Sequence, residues 1–273
     1  MNLRQVVLTI FLLCSSQFAQ ATEAKVVEQK IIKTTEAKSL KTPENRCEGS
    51  GPQTPRDIDK LIGKNKVLFT MAPEVKNMQL CNVHFHRFAE NKSSKFSTFV
   101  QTGNSTGWAC KKPLGDEISL HDSHDNACSG VESGDTIEVH WVYTSCDLKA
   151  KGIARGAGLK ACTTETCANP QLRVEAEVFL LTKEGGMDFT GSEPSTPEES
   201  VLFAGSTTGP QWNNNNCSPL QVTWNVRKSC HELNIESLHN WCLNNQFGEN
   251  HGHGVRKLVT NEFLLSKAVN VSK

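Results

Sequence analysis

Apolar and polar side chains alternate along 136–144 (TIEVHWVYT) and 172–182 (LRVEAEVFLLT). That period of two is the pattern of strands whose two faces meet different surroundings. Shorter runs rich in β-branched and aromatic residues predict four more strands, at 66–71 (KVLFTM), 79–85 (QLCNVHF), 95–101 (KFSTFVQ) and 221–227 (QVTWNVR). Clusters of Gly, Asn, Ser and Pro at 103–107, 185–197 and 209–219 separate the runs as loops. Helices are expected only at 58–61 and 234–245. The fold class that follows is mainly β (α+β): one domain around a large twisted central sheet, antiparallel or mixed, with few short helices. No repeat of solenoid or propeller period is present.

The pattern changes character at the N-terminus. Arg4, the short apolar run 6–14 (VVLTIFLLC) and Ala19-Gln20-Ala21 together have the three parts of a secretory signal peptide over 1–21. The apolar run is too short to span a bilayer, and no later segment is long and apolar enough to do so. Cys14 follows Leu13, a poor context for lipidation. Residues 22–46 are rich in Lys, Glu and Thr, lack aromatics and carry the TEAK tetrapeptide twice; they read as a charged linker. Globular composition begins at Cys47, so 47–273 is the expected catalytic domain.

Cleavage after Ala21 would leave 252 of the 273 residues and ten of the eleven cysteines. An even count in an exported chain predicts disulfides and a periplasmic or secreted location. Connectivity stays open, although Cys162 and Cys167 flank only four residues and a local pair is one expectation. No C-x-x-C is present, which argues against a zinc-thiolate finger or a thioredoxin-like site. Lysine plus arginine equals aspartate plus glutamate, so the formal net charge is zero and nothing attracts nucleic acid or an anionic membrane. The expected partner is a small molecule; a homodimer is compatible with the chain.

Chemistry concentrates in three histidines. His84 and His86 lie two apart in a predicted strand, so both rings point to one face. His140 sits in another strand among Val, Trp and Tyr, where an apolar side chain is expected, and it shares a face with Glu138 and Val142. A metal ion explains both placements. Three neutral imidazoles leave the fourth tetrahedral position of zinc open, where a bound water has its pKa lowered to about 7. The remaining histidines, His121, His124, His231, His239, His251 and His253, lie among Gly, Asn, Ser and Asp and read mostly as loop or surface residues. His251-Gly252-His253 is a weaker second H-x-H whose glycine-rich surroundings predict exposure.

Four segments together carry a family resemblance. His84-Phe85-His86-Arg87-Phe88-Ala89-Glu90-Asn91 resembles the H-F-H-x-x-x-E-[HN] segment of bacterial α-class carbonic anhydrases, and Glu138-Val139-His140-Trp141-Val142 resembles their E-x-H-x-V strand. Phe203 to Pro210 (FAGSTTGP) is similar to their substrate loop, and Val222-Thr223-Trp224-Asn225-Val226 to the strand that follows it. The long gap between His86 and His140, the G-S-T-T-G-P loop and the Asn-rich insert 213–216 depart from the α class and resemble the δ class.

The δ-class resemblance implies an α-carbonic-anhydrase-like sheet and a carbonic anhydrase, a lyase that interconverts carbon dioxide and bicarbonate by zinc-bound hydroxide. It implies Zn2+ on His84, His86 and His140, and Glu138 as the carboxylate that accepts the His140 ring N–H. Thr208 or Thr207 would accept the hydroxide proton, and Glu90 would accept that of the threonine. Val142, Val222 and Trp224 would line the carbon dioxide pocket. A proton shuttle stays unassigned, with His121 and His124 as candidates. Outside the resemblance, Glu90 reads as an ion-pair residue, Glu138 as a solvated strand carboxylate, Thr207 and Thr208 as turn residues, and Trp224 as core.

Two rival readings remain. A cupin-type metalloenzyme also uses H-x-H-x3-E and a later histidine, but Met78, Ser97 and Thr144 stand where that motif needs Gly, Gly and Asn. A non-catalytic, disulfide-stapled metal-binding envelope protein is the other.

Overall fold

The computed structural model describes residues 47, 49–102, 105–111, 127–148, 161–163, 167–194, 199–209 and 211–272. The expected signal peptide and linker, and His121 and His124, lie outside these residues. Residues 47–273 form one compact unit.

Among the described residues eight strands are present: β1 (Gln79–Arg87), β2 (Phe96–Thr102), β3 (Ser105–Cys110), β4 (Thr136–Thr144), β5 (Leu172–Thr182), β6 (Ser200–Ser206), β7 (Gln221–Asn234) and β8 (Val269–Val271). Six build one sheet in the order β1-β4-β5-β7-β6-β8, and β2 and β3 pair separately. The large sheet is mixed, because β5 and β7 run parallel while its other pairs are antiparallel. The mainly β expectation therefore holds, with β4 and β5 at the predicted boundaries. A six-stranded mixed sheet with a separate β2–β3 pair differs from the two-sheet jelly roll of cupins.

The period of two sorts the sheet's residues into two cores. One face carries Val142, Val174, Ala176, Val201, Phe203, Val222, Trp224 and Val226. The other carries Val83, Phe85, Val139, Trp141, Phe179 and Leu181 against helix α1 (Ile235–Leu243). Asn234 caps α1 by accepting from Ser237 N at 3.0 Å, and Ile235, Leu238 and Cys242 form its buried stripe. Each fully buried aliphatic or aromatic side chain contributes on the order of 1.5–3 kcal/mol.

Four expectations fail. Residues 105–107, read as loop, open strand β3. Residues 66–71 form no strand, and Leu68 is 91% exposed; strand-like composition does not by itself supply a ladder partner. Residues 58–61 form a turn, not a helix. The buried Arg56 guanidinium donates to Lys60 O (2.6 Å) and Ile62 O (3.1 Å), taking carbonyls that a helix would use itself. Cys162 and Cys167 do not pair with each other.

The disulfides are Cys47–Cys217, Cys81–Cys162, Cys110–Cys230, Cys128–Cys242 and Cys146–Cys167. All ten cysteines from Cys47 onward are thus bonded, as an oxidising compartment requires. Cys81 ties down β1 just before His84, and Cys110–Cys230 links β3 to β7. Strand β7 also runs seven residues past its predicted end. A register shift between Ala176 and Val178 lets it continue beside β5 as far as Asn234.

Candidate metal centre

The β1–β4 register assembles the histidines. His84 lies directly opposite His140, His86 opposite Glu138, and Asn82 opposite Val142. Because side chains two apart share a face, all six project to the same side of the sheet. The ring centroids lie 5.2 Å (His84–His86), 5.1 Å (His84–His140) and 4.6 Å (His86–His140) apart. One ring nitrogen from each histidine lies within 4.8 Å of those of the other two.

The electrostatics suit a cation. Burial, with the neighbouring His140 ring next, holds the pKa values of His84 and His86 well below the ordinary imidazole range. Both therefore stay neutral and keep a lone pair. Burial also pulls His140 down, but Glu138 and Glu90 outweigh it and raise its pKa. Neither ring nitrogen of His86, nor Nε2 of His140, makes a hydrogen bond, although all are buried. Buried orphan nitrogens are costly, and a bound ion accounts for one of the two on His86. Three imidazoles suit zinc, copper, iron or nickel, so the residues fit a transition metal such as the expected zinc.

A second layer surrounds the rings. His84 Nδ1–H donates to Asn82 Oδ1 at 2.6 Å, which leaves Nε2 for a ligand. After β1 the chain turns through Phe88, whose φ of 68° is unusual for a residue with a side chain. Such a conformation costs on the order of 1–3 kcal/mol. The turn is held by Phe88 N to Thr136 O (2.7 Å) and Ala89 N to Trp108 O (2.9 Å). It swings Glu90 back under His140.

Glu138 differs from its expected arrangement. Its carboxylate accepts from Glu90 N (2.6 Å) and Asn91 Nδ2 (3.1 Å), while His140 Nε2 stands 3.8 Å from Oε1. That gap exceeds hydrogen-bond length. The Phe88 turn brings the 90–91 amides onto the carboxylate and uses its acceptors. Glu90 Oε1 lies 3.7 Å from the same nitrogen, so the ring edge faces two carboxylates. Burial pushes the Glu90 pKa up to about 8.

The two threonines separate cleanly. Thr208 Oγ1 donates to Glu90 Oε1 at 3.5 Å, whereas Thr207 Oγ1 shares a 2.6 Å hydrogen bond with Ser218. They follow β6, whose last carbonyl, Ser206 O, accepts from Thr54 Oγ1 (2.7 Å) and Trp224 Nε1 (3.1 Å). The Trp224 ring meets His140 edge-on at 5.1 Å. Val142 is buried one strand repeat from His140. Val222 also packs in this core and borders a separate cleft beside Phe69 and Thr70. A cleft of about 880 Å3 reaches Glu90 past Trp108, Val255 and Arg256.

Sequence reasoning missed three residues. Asn82 was legible in principle, since Asn82, His84 and His86 keep one period. Arg256 is buried and hydrogen-bonded to Gln53 Oε1 (3.2 Å) and Asn214 Oδ1 (3.1 Å), and its charge acts on Glu90. His253 was read as an exposed loop residue, yet it is partly buried and its ring lies 5.7 Å from that of His84 and 6.0 Å from that of His86.

A sequence model of the family described as Delta carbonic anhydrase matches residues 75–237, more than half of the chain and the whole stretch from β1 into α1. No curated protein and no solved structure matches.

Proposed function

The chain belongs to the delta carbonic anhydrase family, and from that premise we propose that it catalyses the reversible hydration of carbon dioxide to bicarbonate and a proton at His84, His86 and His140. These three imidazoles would hold a zinc ion. Zinc bound there supplies Lewis acidity, lowering the pKa of a coordinated water to about 7.

The remaining work falls to the chain's own residues. Asn82 fixes the tautomer and tilt of His84 by accepting its Nδ1–H. The carboxyl oxygens of Glu138 and Glu90 face one edge of His140, which orients the ring and raises its pKa. The Thr208 hydroxyl donates its hydrogen bond to Glu90 and can then only accept one from the attacking oxygen. That directs the oxygen lone pair at the substrate carbon. Thr207 is committed to Ser218, so Thr208 takes this role. Trp224 and Val142 offer an apolar wall beside His140 for a substrate with no net dipole.

The single observation that carries this reading is the meeting of three imidazoles, two of them buried with unpartnered nitrogens, beside a threonine–glutamate pair. Five disulfides support function in an oxidising compartment, periplasmic or secreted. The test is oxygen-18 loss from labelled carbon dioxide, followed by mass spectrometry. Zinc-loaded protein should speed the loss and chelated protein should not. A folded, zinc-loaded chain that leaves the rate at the buffer level would refute the proposal.

A further inference from the structure

Beside the triad lies a second set of metal-ligating side chains. Glu249, His251 and His253 alternate along an extended segment, so their side chains lie on one side of it. The segment is pinned to the edge of β1: His253 N donates to Phe85 O (3.0 Å), and Arg87 N donates to His253 O (2.9 Å). On its other flank Gly252 N donates to Ser129 O (3.0 Å), and Ser129 N to Asn250 O (2.8 Å). Asn245 clamps Glu249 at both ends of its peptide, accepting from Glu249 N (3.0 Å) and donating to Glu249 O (2.7 Å). The backbone that presents the three side chains is therefore fixed before any ligand arrives.

We propose that Glu249, His251 and His253 form a second site for a divalent transition metal, separate from the triad. One ligand atom from each lies within 4.8 Å of those of the other two. Glu249 Oε2 and His253 Nε2 are 3.0 Å apart, and the rings of His251 and His253 are 4.2 Å apart. Ligand atoms about 2.0–2.2 Å from a shared tetrahedral ion lie roughly 3.3–3.6 Å apart, within the 4.8 Å that bounds these three. Two imidazoles and a carboxylate suit zinc and its neighbours rather than calcium or magnesium.

A Glu249–His253 ion pair alone accounts for two of the residues but leaves His251 unexplained. His251 Nδ1 lies 3.2 Å from Asn250 Oδ1, so Nε2 is the nitrogen turned to a ligand. Glu249 is buried, His253 partly buried and His251 exposed, so the site opens to solvent and keeps coordination positions for water or an anion. The repeated H-x-H, at 84–86 and 251–253, thus serves two adjacent ions. His253 is a ligand of the outer one.

The test is zinc stoichiometry on the full oxidised chain, stripped with chelator and equilibrated with micromolar zinc, read by elemental analysis. Two equivalents are expected for the unmodified chain. His251→Ala, which alters an exposed side chain, should retain one, with circular dichroism unchanged. His140→Ala, with the triad broken, should also retain one, and His140→Ala/His251→Ala none. The proposal is overturned if His251→Ala binds as many equivalents as the unmodified chain does. A single equivalent that His251→Ala leaves intact would assign His253 no ion of its own. These outcomes are independent of any hydration activity.

Discussion

Asn82 Oδ1 accepts the Nδ1 proton of His84 at 2.6 Å, two residues away on the same face of β1. The partner and the ring are held by one strand, so the orientation of His84 is set before a metal binds. Outer partners of this kind typically contribute 10- to 100-fold to metal affinity. Asn82→Leu, close in volume but without an acceptor, should weaken zinc binding by about that factor. Competition with a chromogenic chelator measures it; unchanged affinity would remove Asn82 from the centre.

Thr208 and Thr207 are neighbours with different partners, and their variants should separate. Thr208→Ala removes the hydroxyl that bridges Glu90 to the attacking oxygen, and a misdirected nucleophile costs on the order of 10^2-fold in rate. Thr207→Ala removes a hydrogen bond to Ser218, with a net cost of about 1 kcal/mol in stability and a much smaller effect on kcat/KM. Steady-state hydration rates for both variants, at equal zinc content, decide between them.

The Phe88 turn depends on a glycine across from it. A Cβ on Gly107 would meet Phe88 Cβ at 2.6 Å and Ala89 O at 2.9 Å. Gly107→Ala should therefore displace the turn that carries Glu90. The overpacking should cost about 1–3 kcal/mol of stability and lower hydration as well. Urea unfolding checks the first effect, and unchanged stability would mean that β3 can move away.

Asp135, at the entrance to β4, pairs with Arg87 Nε at 3.1 Å, yet burial outweighs the guanidinium and raises its pKa above the usual 3.8. The folded chain then binds this proton more tightly than the unfolded chain does. Its contribution is fully present below pH 3.8 and is lost as pH rises through the raised folded value. The stability difference between the unmodified chain and Asp135→Asn should shift against the unmodified chain across that window and level off above it. Urea unfolding of both proteins at a series of pH values tests the sign.

What was legible in the sequence follows from range. His84, His86 and His140 stand out because a period of two inside one strand exposes a polar ring among apolar neighbours. Residues 136–144 and 172–182 have the predicted boundaries because buried side chains line both strands almost throughout. Features set by distant partners were hidden. Residues 58–61 fail as a helix because Arg56 captures their carbonyls, and His253 reaches the site through a bridge to His86, far away in sequence. Asn91, which has the N-x-S form of a glycosylation acceptor, is fully buried and holds Glu138 and Arg56 N. Strand β6 was not expected, because residues 203–206 were read with the loop that they resemble, yet they pair with β7.

The most direct test of the central claim is stopped-flow hydration of carbon dioxide by the oxidised, zinc-loaded chain alongside His140→Ala. The account predicts turnover far above buffer for the first, abolished by chelation and restored by zinc, and a rate near buffer for the second. Full hydration by folded His140→Ala, or none by the zinc-loaded parent, would contradict it.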